Sequence, residues 1–304
     1  MEPDQTEILR DEGRLVVKIE AQGQIYFLKG EQQTPVFMKA LIAFIDKMKR
    51  AGLPFAELEQ TMDGRLFTEA EGMLFMLEKK SMGVSVEQLQ LIHIQEIGKI
   101  LGKQHAVSES IGMRFNTGTS WGMFGGNKTD ALGDYDENEL SYLEFIEKGE
   151  GFPNDLQLIK NLYIEKRAKL KAVWNTLPTG SVQGDFCPYN MLFHGDGTIA
   201  SVYDFNIAGD EVFLNECIGV GAYLAWHYAY QGGETEWERF RSFLQAYESE
   251  RPLTSLEKEV MNDLLAIIRA FRYDRIEEGI LMLSSEESGK QFMAETRKIL
   301  LLDD

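Results

Sequence analysis

The chain has few cysteines and no long apolar run. Its 304 residues include two cysteines, Cys187 and Cys217, whose spacing indicates neither a zinc site nor a disulfide framework. No apolar stretch reaches the length that a membrane-spanning helix needs, and the acidic residues 1–5 are unlike a secretory signal. These features predict a cytoplasmic protein that does not contact a membrane.

Basic residues are also scarce. Lys and Arg together number 31 against 49 Asp and Glu, which gives a formal net charge of −18. This balance argues against a nucleic-acid partner, because binding of nucleic acid requires basic surface that neutralises phosphates. A nucleotide-binding enzyme remains compatible, since it needs a few local cations and Mg²⁺. The acidic excess would favour a cationic substrate, although solubility is the commoner reason for it.

Residues 1–80 predict a small unit of strands with one helix. Two apolar runs rich in β-branched residues, 15–20 and 25–29, flank a short glycine-containing turn and predict a hairpin. A helix follows, with Thr34 as its N-cap, Pro35 in its first turn and apolar residues at helical spacing after them. Further strands are predicted at residues 65–70 and 73–77.

Residues 81–304 predict a larger and mainly helical unit. Apolar periodicity indicates a helix that ends near His105, a second helix over residues 156–177, and mostly helix after Cys217. Residues 112–136 are rich in Gly, Asn and Asp and predict a long loop. Its glycine-rich run lacks the Gly-Lys-Ser/Thr ending of a P-loop, so the favoured interpretation is a mobile loop that borders a substrate cleft.

The segment with the clearest chemical signal is residues 181–193. Asp185 and Asn190 lie five residues apart in a stretch whose glycine and proline favour a loop over a helix. A hairpin with Gly195-Asp196-Gly197 as its turn leads from there to Asp204, which follows a short apolar strand. This arrangement predicts that two carboxylates and one amide converge at one end of a sheet.

Phosphoryl transfer uses such a set of side chains. One aspartate orients or deprotonates the attacking hydroxyl, while oxygen ligands hold the Mg²⁺ that neutralises the phosphates. Hard oxygen ligands suit Mg²⁺ better than zinc. The alternative interpretation for each residue alone is turn formation, because Asp and Asn favour turns. The order and spacing of the three favour catalysis.

Several motifs resemble the aminoglycoside phosphotransferase and choline kinase family. Gly184-Asp185-x-x-x-x-Asn190 is similar to the catalytic loop of that family, and Tyr203-Asp204-Phe205 resembles its metal-binding segment. The run that ends in Lys29 looks like its third strand, and Leu101-Gly-Lys-Gln-His105 is similar to a helix end that precedes the catalytic segment. The resemblance spans roughly residues 10–230 in consistent order.

The resemblance implies an α+β, protein-kinase-like two-lobed fold. The N-lobe would be an antiparallel sheet with one helix, and the C-lobe would be larger and mainly helical. ATP would bind between the lobes with Mg²⁺, and its γ-phosphate would pass to a hydroxyl of a small molecule such as an amino sugar or amino alcohol. The implied site residues are catalytic Asp185, the metal ligands Asn190 and Asp204, phosphate-binding Lys29, and the adenine-binding hinge at Glu78 and Lys79.

The chain departs from the family pattern at four places. Gln183 stands where histidine is usual, and the glycine-rich loop has a single candidate turn at residues 11–13. The helix after Pro35 has no obvious glutamate to pair with Lys29, and Asn215 occupies a position where aspartate is common. A catalytically weak or inactive pseudokinase-like binding protein is therefore the alternative. A protein kinase is a further one, disfavoured because activation-segment motifs are absent after Asp204.

Overall fold

A computed structural model of the protein describes residues 3–119, 121–125 and 136–303. Residues 120 and 126–135 of the segment predicted as a long loop lie outside these ranges. The described residues form a strand-rich N-terminal part and a mainly helical C-terminal part. None of the helices in these ranges is both long and apolar enough to cross a membrane.

The N-terminal part is built around a six-stranded antiparallel sheet within the described residues. Its strand order is β1-β2-β3-β6-β4, with β5 paired to β6. The bounds are β1 (Gln5–Arg10), β2 (Leu15–Ala21), β3 (Gln24–Glu31), β4 (Glu57–Leu58), β5 (Thr68–Ala70) and β6 (Met73–Lys79). The predicted hairpin is confirmed as β2 and β3. Gln22 and Gly23 connect them with positive φ angles of 53° and 75°, which suit a tight hairpin turn.

Helix α1 (Pro35–Arg50) follows β3 as the sequence predicted. The Thr34 hydroxyl accepts a hydrogen bond from the Phe37 amide at 3.1 Å and caps the first turn. One face of the helix is buried through the apolar side chains Phe37, Met38, Leu41, Phe44, Ile45 and Met48. This stripe joins the hydrophobic core together with residues of β6.

The predicted bounds of two helices and one strand are wrong. Helix α2 (Leu91–Ile111) continues six residues past His105 and ends at Gly112, whose φ of 59° lies in the left-handed region that terminates helices. Helix α4 (Pro153–Val173) begins earlier than predicted and gives way to a 3₁₀ turn at Trp174–Thr176. The strand predicted over residues 65–70 is reduced to β5.

Two short antiparallel pairs carry the segments with chemical signal. Strands β7 (Thr179–Val182) and β10 (Gly209–Val212) pair with each other, as do β8 (Met191–Phe193) and β9 (Ile199–Val202). Phe55 forms a parallel bridge to Val202, and Val84 forms an antiparallel bridge to Phe193. The β8–β9 hairpin predicted from the sequence is thus confirmed, and it is attached to the N-terminal part.

The remaining helices complete the C-terminal part. They are α3 (Glu137–Lys148), α5 (Phe213–Ala222), α6 (Glu236–Glu250), α7 (Ser255–Ala270), α8 (Tyr273–Met282) and α9 (Glu286–Leu301), with a π-helical turn at Tyr223–His227. Helices α2 and α6 approach closely at two glycines. A Cβ on Gly98 would lie 2.5 Å from the Phe243 carbonyl oxygen, and one on Gly102 would lie 2.5 Å from that of Tyr247. Larger side chains there would push α2 away from α6.

Candidate active site

Asp185 and Asn190, predicted as catalytic residue and metal ligand, lie in direct contact. The Asn190 side-chain nitrogen donates to Asp185 Oδ2 at 2.8 Å and to the Asp185 carbonyl at 3.0 Å. The Tyr189 hydroxyl donates to Asp185 Oδ1 at 2.7 Å. A 3₁₀ turn at Pro188–Asn190 closes the loop and brings these groups together. Because each carboxylate oxygen can accept more than one hydrogen bond, Asp185 keeps capacity for a substrate hydroxyl.

The Asp204 carboxylate is held by an arginine from the N-terminal part. The backbone of Asp204 has a φ of 62°, an uncommon left-handed conformation for a residue other than glycine. Arg14 Nη1 and Nη2 each donate to one carboxylate oxygen at 2.6 Å. Burial alone would raise the pKa of Asp204, but the hydrogen bonds from Arg14 and the charges of Lys29 and Arg14 hold that pKa below its ordinary value.

Gln183 connects the segments that carry the two aspartates. Its side-chain oxygen accepts a hydrogen bond from the Asp185 amide at 2.7 Å, and its side-chain nitrogen donates to the Asp204 carbonyl. A third hydrogen bond between the two segments runs from the Tyr203 amide to the Asn190 carbonyl at 3.0 Å. The glutamine that departs from the family pattern therefore makes structural hydrogen bonds at this position.

Lys29 forms an ion pair with Glu78, in which Nζ and Oε2 are 2.8 Å apart. Both side chains are largely buried, and the second oxygen of Glu78 has no hydrogen-bond partner among the described residues. The sequence predicted Glu78 and Lys79 as a hinge that binds adenine through backbone groups. Both residues pair with β3 on one side and β4 on the other, so sheet pairing competes with a ligand for these groups. Their hinge role remains a prediction.

A cavity of about 330 Å³ contains Lys29 and Asp204 together. Part of its lining is apolar and part is charged, a combination that suits the aromatic base and the phosphates of a nucleotide. The lining residues are Leu9, Arg14, Val16, Phe27, Lys29, Ala56, Glu78, Lys79, Lys80, Ser81, Leu192, Tyr203 and Asp204.

Asp185 lines a second cavity of about 390 Å³. Trp121 borders it and donates from Nε1 to the Gly184 carbonyl at 2.6 Å, so this residue of the predicted cleft loop lies beside the segment that carries Asp185. Glu137 and Arg272 give the wall charges of both signs. Burial raises the pKa of Glu137, with Arg272 opposing that rise.

A buried network that local sequence patterns did not predict contacts the backbone of the loop that carries Asp185. Glu216 Oε1 accepts a hydrogen bond from the Gly184 amide at 2.9 Å, and Oε2 lies 2.6 Å from His105 Nε2. His105 Nδ1 in turn lies 2.7 Å from the Tyr247 hydroxyl. Burial raises the pKa of Glu216 to about 8 and lowers that of His105. The carboxyl group that supports the loop therefore belongs to Glu216, next to Asn215, where the sequence departs from the family pattern.

The signals for these unpredicted residues are weak in the sequence. Arg14 follows the predicted turn at residues 11–13, but nothing in the local pattern connects it to Asp204, 190 positions away. Glu216 lies in a mainly apolar helix, and a charged residue at a fully buried position is a recognisable sign of a specific partner. Arg272 follows the end of α7, where basic residues are common.

The oxygen-bearing side chains fit a magnesium ion. No group of three or more His, Cys, Asp or Glu suited to a metal occurs within the described ranges, but Mg²⁺ commonly takes one or two carboxylates and completes its shell with phosphates and water. The Asn190 side-chain nitrogen donates to Asp185, so its oxygen is the atom that could contact a metal ion. The Arg14 guanidinium lies against the Asp204 carboxylate, at the place where a metal ion would bind to it.

Comparison with solved structures finds small-molecule kinases. An amicoumacin kinase with AMP-PNP and Ca²⁺ has a TM-score of 0.62 at 16% identity, covering 99% of this chain and 89% of that one. A microcompartment-associated aminopropanol kinase gives 0.61 at 16% identity, covering 97% and 90%. An aminoglycoside phosphotransferase from Alicyclobacillus acidocaldarius gives 0.62 at 13% identity, covering 99% and 93%. The chain thus has the two-lobed, protein-kinase-like fold of these phosphotransferases, which confirms the predicted fold class.

Comparison with curated proteins finds homoserine kinases. A homoserine kinase from Caulobacter vibrioides is 25% identical over 245 residues, which are 80% of this chain and 69% of the relative. One from Pseudomonas aeruginosa is 24% identical over 265 residues, or 84% and 72%. No protein-family model matches the chain. The resemblance to kinase-like small-molecule phosphotransferases stated from the motifs is confirmed by these neighbours.

Proposed function

We propose that the protein is an ATP- and Mg²⁺-dependent phosphotransferase that acts on a hydroxyl of a small, amino-acid-like molecule. One observation carries the proposal. Asp204 and Asp185 line two different cavities, and Gln183 bonds to the backbone of both. A donor in one cavity and an acceptor in the other would meet at this bridge.

The donor cavity has the groups that ATP requires. Apolar side chains such as Val16, Ala56 and Leu192 would cover the base, and Lys29 would contact the α- and β-phosphates. Asn190 and Asp204 would hold Mg²⁺, which supplies positive charge against the β- and γ-phosphates when it is bound. The ion pair with Glu78 holds the Lys29 ammonium group in a fixed position before the nucleotide arrives.

The charges of the second cavity favour an acceptor that is itself charged. Arg272 bonds through Nε to both oxygens of Asp274, at 2.7 and 2.9 Å, and its guanidinium lies 4.6 Å from the centroid of the Tyr223 ring. The remaining edge of a guanidinium group can bind a carboxylate with two hydrogen bonds. Glu137 provides a partner for an ammonium group. The homoserine kinases found among the relatives make homoserine the first candidate acceptor.

Asp185 would act on the acceptor hydroxyl. Its carboxylate is fixed by Asn190 and Tyr189, so it presents acceptor lone pairs without having to reorient. It would orient the hydroxyl towards the donor and take its proton as the new oxygen–phosphorus bond forms, while the bond between the γ-phosphorus and the bridging oxygen breaks and ADP leaves. Glu216 supports this geometry from below, since it binds the backbone amide that precedes Asp185.

A panel of acceptors tests the proposal. ADP release would be measured with homoserine, serine, 3-aminopropanol, choline and an aminoglycoside, and the phosphorylated product would be confirmed by ³¹P NMR. We expect the highest kcat/KM with an acceptor that carries both a carboxylate and an ammonium group. Arg272→Gln should raise KM for homoserine by about tenfold or more and leave KM for 3-aminopropanol unchanged. Arg241→Gln, on the exposed face of α6, is the charge-matched control.

One observation favours the alternative of a non-catalytic binding protein. Arg14 holds both oxygens of Asp204, the predicted metal ligand. If this pair were permanent, nucleotide would bind without Mg²⁺ and no acceptor would be phosphorylated. Nucleotide titrations with and without Mg²⁺, combined with the acceptor panel, separate the two functions: metal-independent binding without any ADP release would contradict the phosphotransferase.

A further inference from the structure

Arg14 is a residue of the nucleotide cavity for which the sequence predicts no role. It lies at the end of the loop that joins β1 and β2, directly after Gly13, whose φ is +71°. The loop places the guanidinium at the cavity, where it binds the Asp204 carboxylate in a bidentate manner through two hydrogen bonds of 2.6 Å. Arginine uses the same bidentate geometry to bind carboxylates and to bind phosphates.

The surroundings of Arg14 are those of a binding residue. Its Nε atom is buried and has no hydrogen-bond partner within the described parts of the chain. Glu31 Oε1 lies 3.8 Å from Nη1, beyond hydrogen-bond distance, so this neighbour compensates the arginine less than Asp204 does. The ion pair of Lys29 and Glu78 lines the same cavity. Arg14 therefore depends on Asp204 for most of its charge compensation.

This dependence matters when a metal ion arrives. While both carboxylate oxygens of Asp204 accept hydrogen bonds from Arg14, the carboxylate binds a metal ion less strongly than it would alone. Once the metal takes the carboxylate, the partly buried guanidinium loses its hydrogen-bonded anion and keeps only the more distant Glu31, which is unfavourable. Phosphate oxygens on the nucleotide would supply the missing anion at the same place.

We propose that Arg14 is a phosphate-binding residue that exchanges Asp204 for the phosphates of the nucleotide when the metal–nucleotide complex binds. The inference rests on the proposed nucleotide site. In the free protein the guanidinium occupies the cation position of Asp204 and excludes divalent metal. In the complex it contributes the positive charge that the short β1–β2 loop, poor in glycine, does not deliver through backbone amides.

Binding measurements test the exchange without requiring turnover. Affinities for adenosine, AMP, ADP and ATP would be measured by calorimetry with Mg²⁺ for the wild type, Arg14→Gln and Lys18→Gln. Lys18 lies on β2, also carries one positive charge and does not line the cavity, so Lys18→Gln is the matched control. Binding of Mn²⁺ to the nucleotide-free proteins would be followed by electron paramagnetic resonance.

We expect Arg14→Gln to weaken ADP and ATP about tenfold or more while adenosine binding stays unchanged, because a charge-assisted hydrogen bond to phosphate is lost. The same variant should bind Mn²⁺ several-fold more tightly than the wild type, and Lys18→Gln should change neither property. An unchanged ratio of ATP to adenosine affinity, or unchanged Mn²⁺ affinity, would overturn the exchange.

A purely structural salt bridge between Arg14 and Asp204 makes a different prediction. In that case Arg14→Gln lowers Tm and weakens adenosine and ATP alike. Arg14→Lys, which keeps the charge, serves as a second variant if Arg14→Gln is unstable. Failure of wild-type protein to bind any adenine nucleotide would overturn the proposed function. Normal nucleotide binding with no phosphate-selective effect in Arg14→Gln would overturn the role of Arg14 alone.

Discussion

Lys29 and Glu78 form an ion pair across the adjacent strands β3 and β6, at 2.8 Å between Nζ and Oε2. Helix α1 contains no glutamate that could pair with Lys29, and this absence favoured the alternative of an inactive protein. The structure shows that a neighbouring strand supplies the carboxylate. Lys29 is therefore fixed within the sheet, without the help of α1.

This pair leads to a first prediction about nucleotide affinity. Glu78→Gln keeps the size and the hydrogen-bonding capacity of the side chain but removes the charge that orients Lys29. We expect the Kd for ATP to rise about tenfold, with a lower Tm because a largely buried ammonium group loses its counter-charge. Calorimetry and thermal melts measure both effects. Glu57→Gln on exposed β4 is the control, and equal affinities of the two variants would contradict the role of Glu78.

A second prediction concerns catalysis. Asp185→Asn should lower kcat by about 10²- to 10⁴-fold, because a positioned general base contributes on that order, while the Kd for ATP stays close to that of the wild type. The substitution preserves side-chain volume at the contact with Asn190. Asp196→Asn, in the exposed β8–β9 turn, controls for loss of charge in the same region. Near-normal turnover by Asp185→Asn would refute the assignment.

A third prediction separates metal binding from nucleotide binding. Asp204→Asn removes the carboxylate charge that the proposed Mg²⁺ requires, and it also frees Arg14. Nucleotide affinity should become nearly independent of Mg²⁺, whereas the wild type should bind ATP more tightly with the ion than without it. Titrations of ATP in Mg²⁺ and in EDTA measure the difference. The same Mg²⁺ dependence in wild type and variant would count against Asp204 as a ligand.

A fourth prediction concerns stability above neutral pH. Burial raises the pKa of Glu211 to about 7 and that of Glu216 to about 8. The folded protein therefore binds more protons than the unfolded chain from about pH 4.5 up to those values, so the free energy of unfolding falls as pH rises. The lowered pKa of His105 acts in the opposite direction, but only below about pH 6.5, where unfolded histidine is protonated.

We therefore expect Tm to decrease from about pH 6.5 to about pH 8. Glu211 accepts hydrogen bonds from the Thr119 hydroxyl at 2.5 Å and from the Val212 amide at 2.8 Å, and neither donor belongs to the catalytic loop. Glu211→Gln should make the decline shallower, because an amide does not titrate in this range. Scanning calorimetry at several pH values measures the slope, and a Tm that rises across this interval would contradict the prediction.

A fifth prediction concerns the network under the loop. Glu216→Gln retains a hydrogen-bond acceptor for the Gly184 amide but changes the contact with His105. Because Glu216 acts through the backbone beside Asp185, kcat should fall about tenfold while KM for the acceptor changes little. The substitution should also shift the pH profile of kcat. A variant with wild-type kcat and an unshifted profile would show that Glu216 serves stability alone.

Local patterns were sufficient for much of the fold. The β2–β3 hairpin, the start of α1 at Pro35 and the β8–β9 hairpin each follow from residues adjacent in sequence, and the structure confirms them. The ends of α2 and α4 were less predictable. The pattern around His105 indicated a helix end, yet the helix continues to Gly112 while His105 is buried against Tyr247 on α6. Tertiary packing decided that boundary.

The sequence by itself determined the chemical groups proposed for the site, because Asp185, Asn190 and Asp204 occur in one short segment that is connected by turns and a hairpin. The tertiary structure decided their partners. Arg14 reaches Asp204 across 190 positions, and Glu216 reaches Gly184 from a buried helix. Such contacts depend on how lobes and helices pack, and local propensity carries no information about a partner that is distant in the chain.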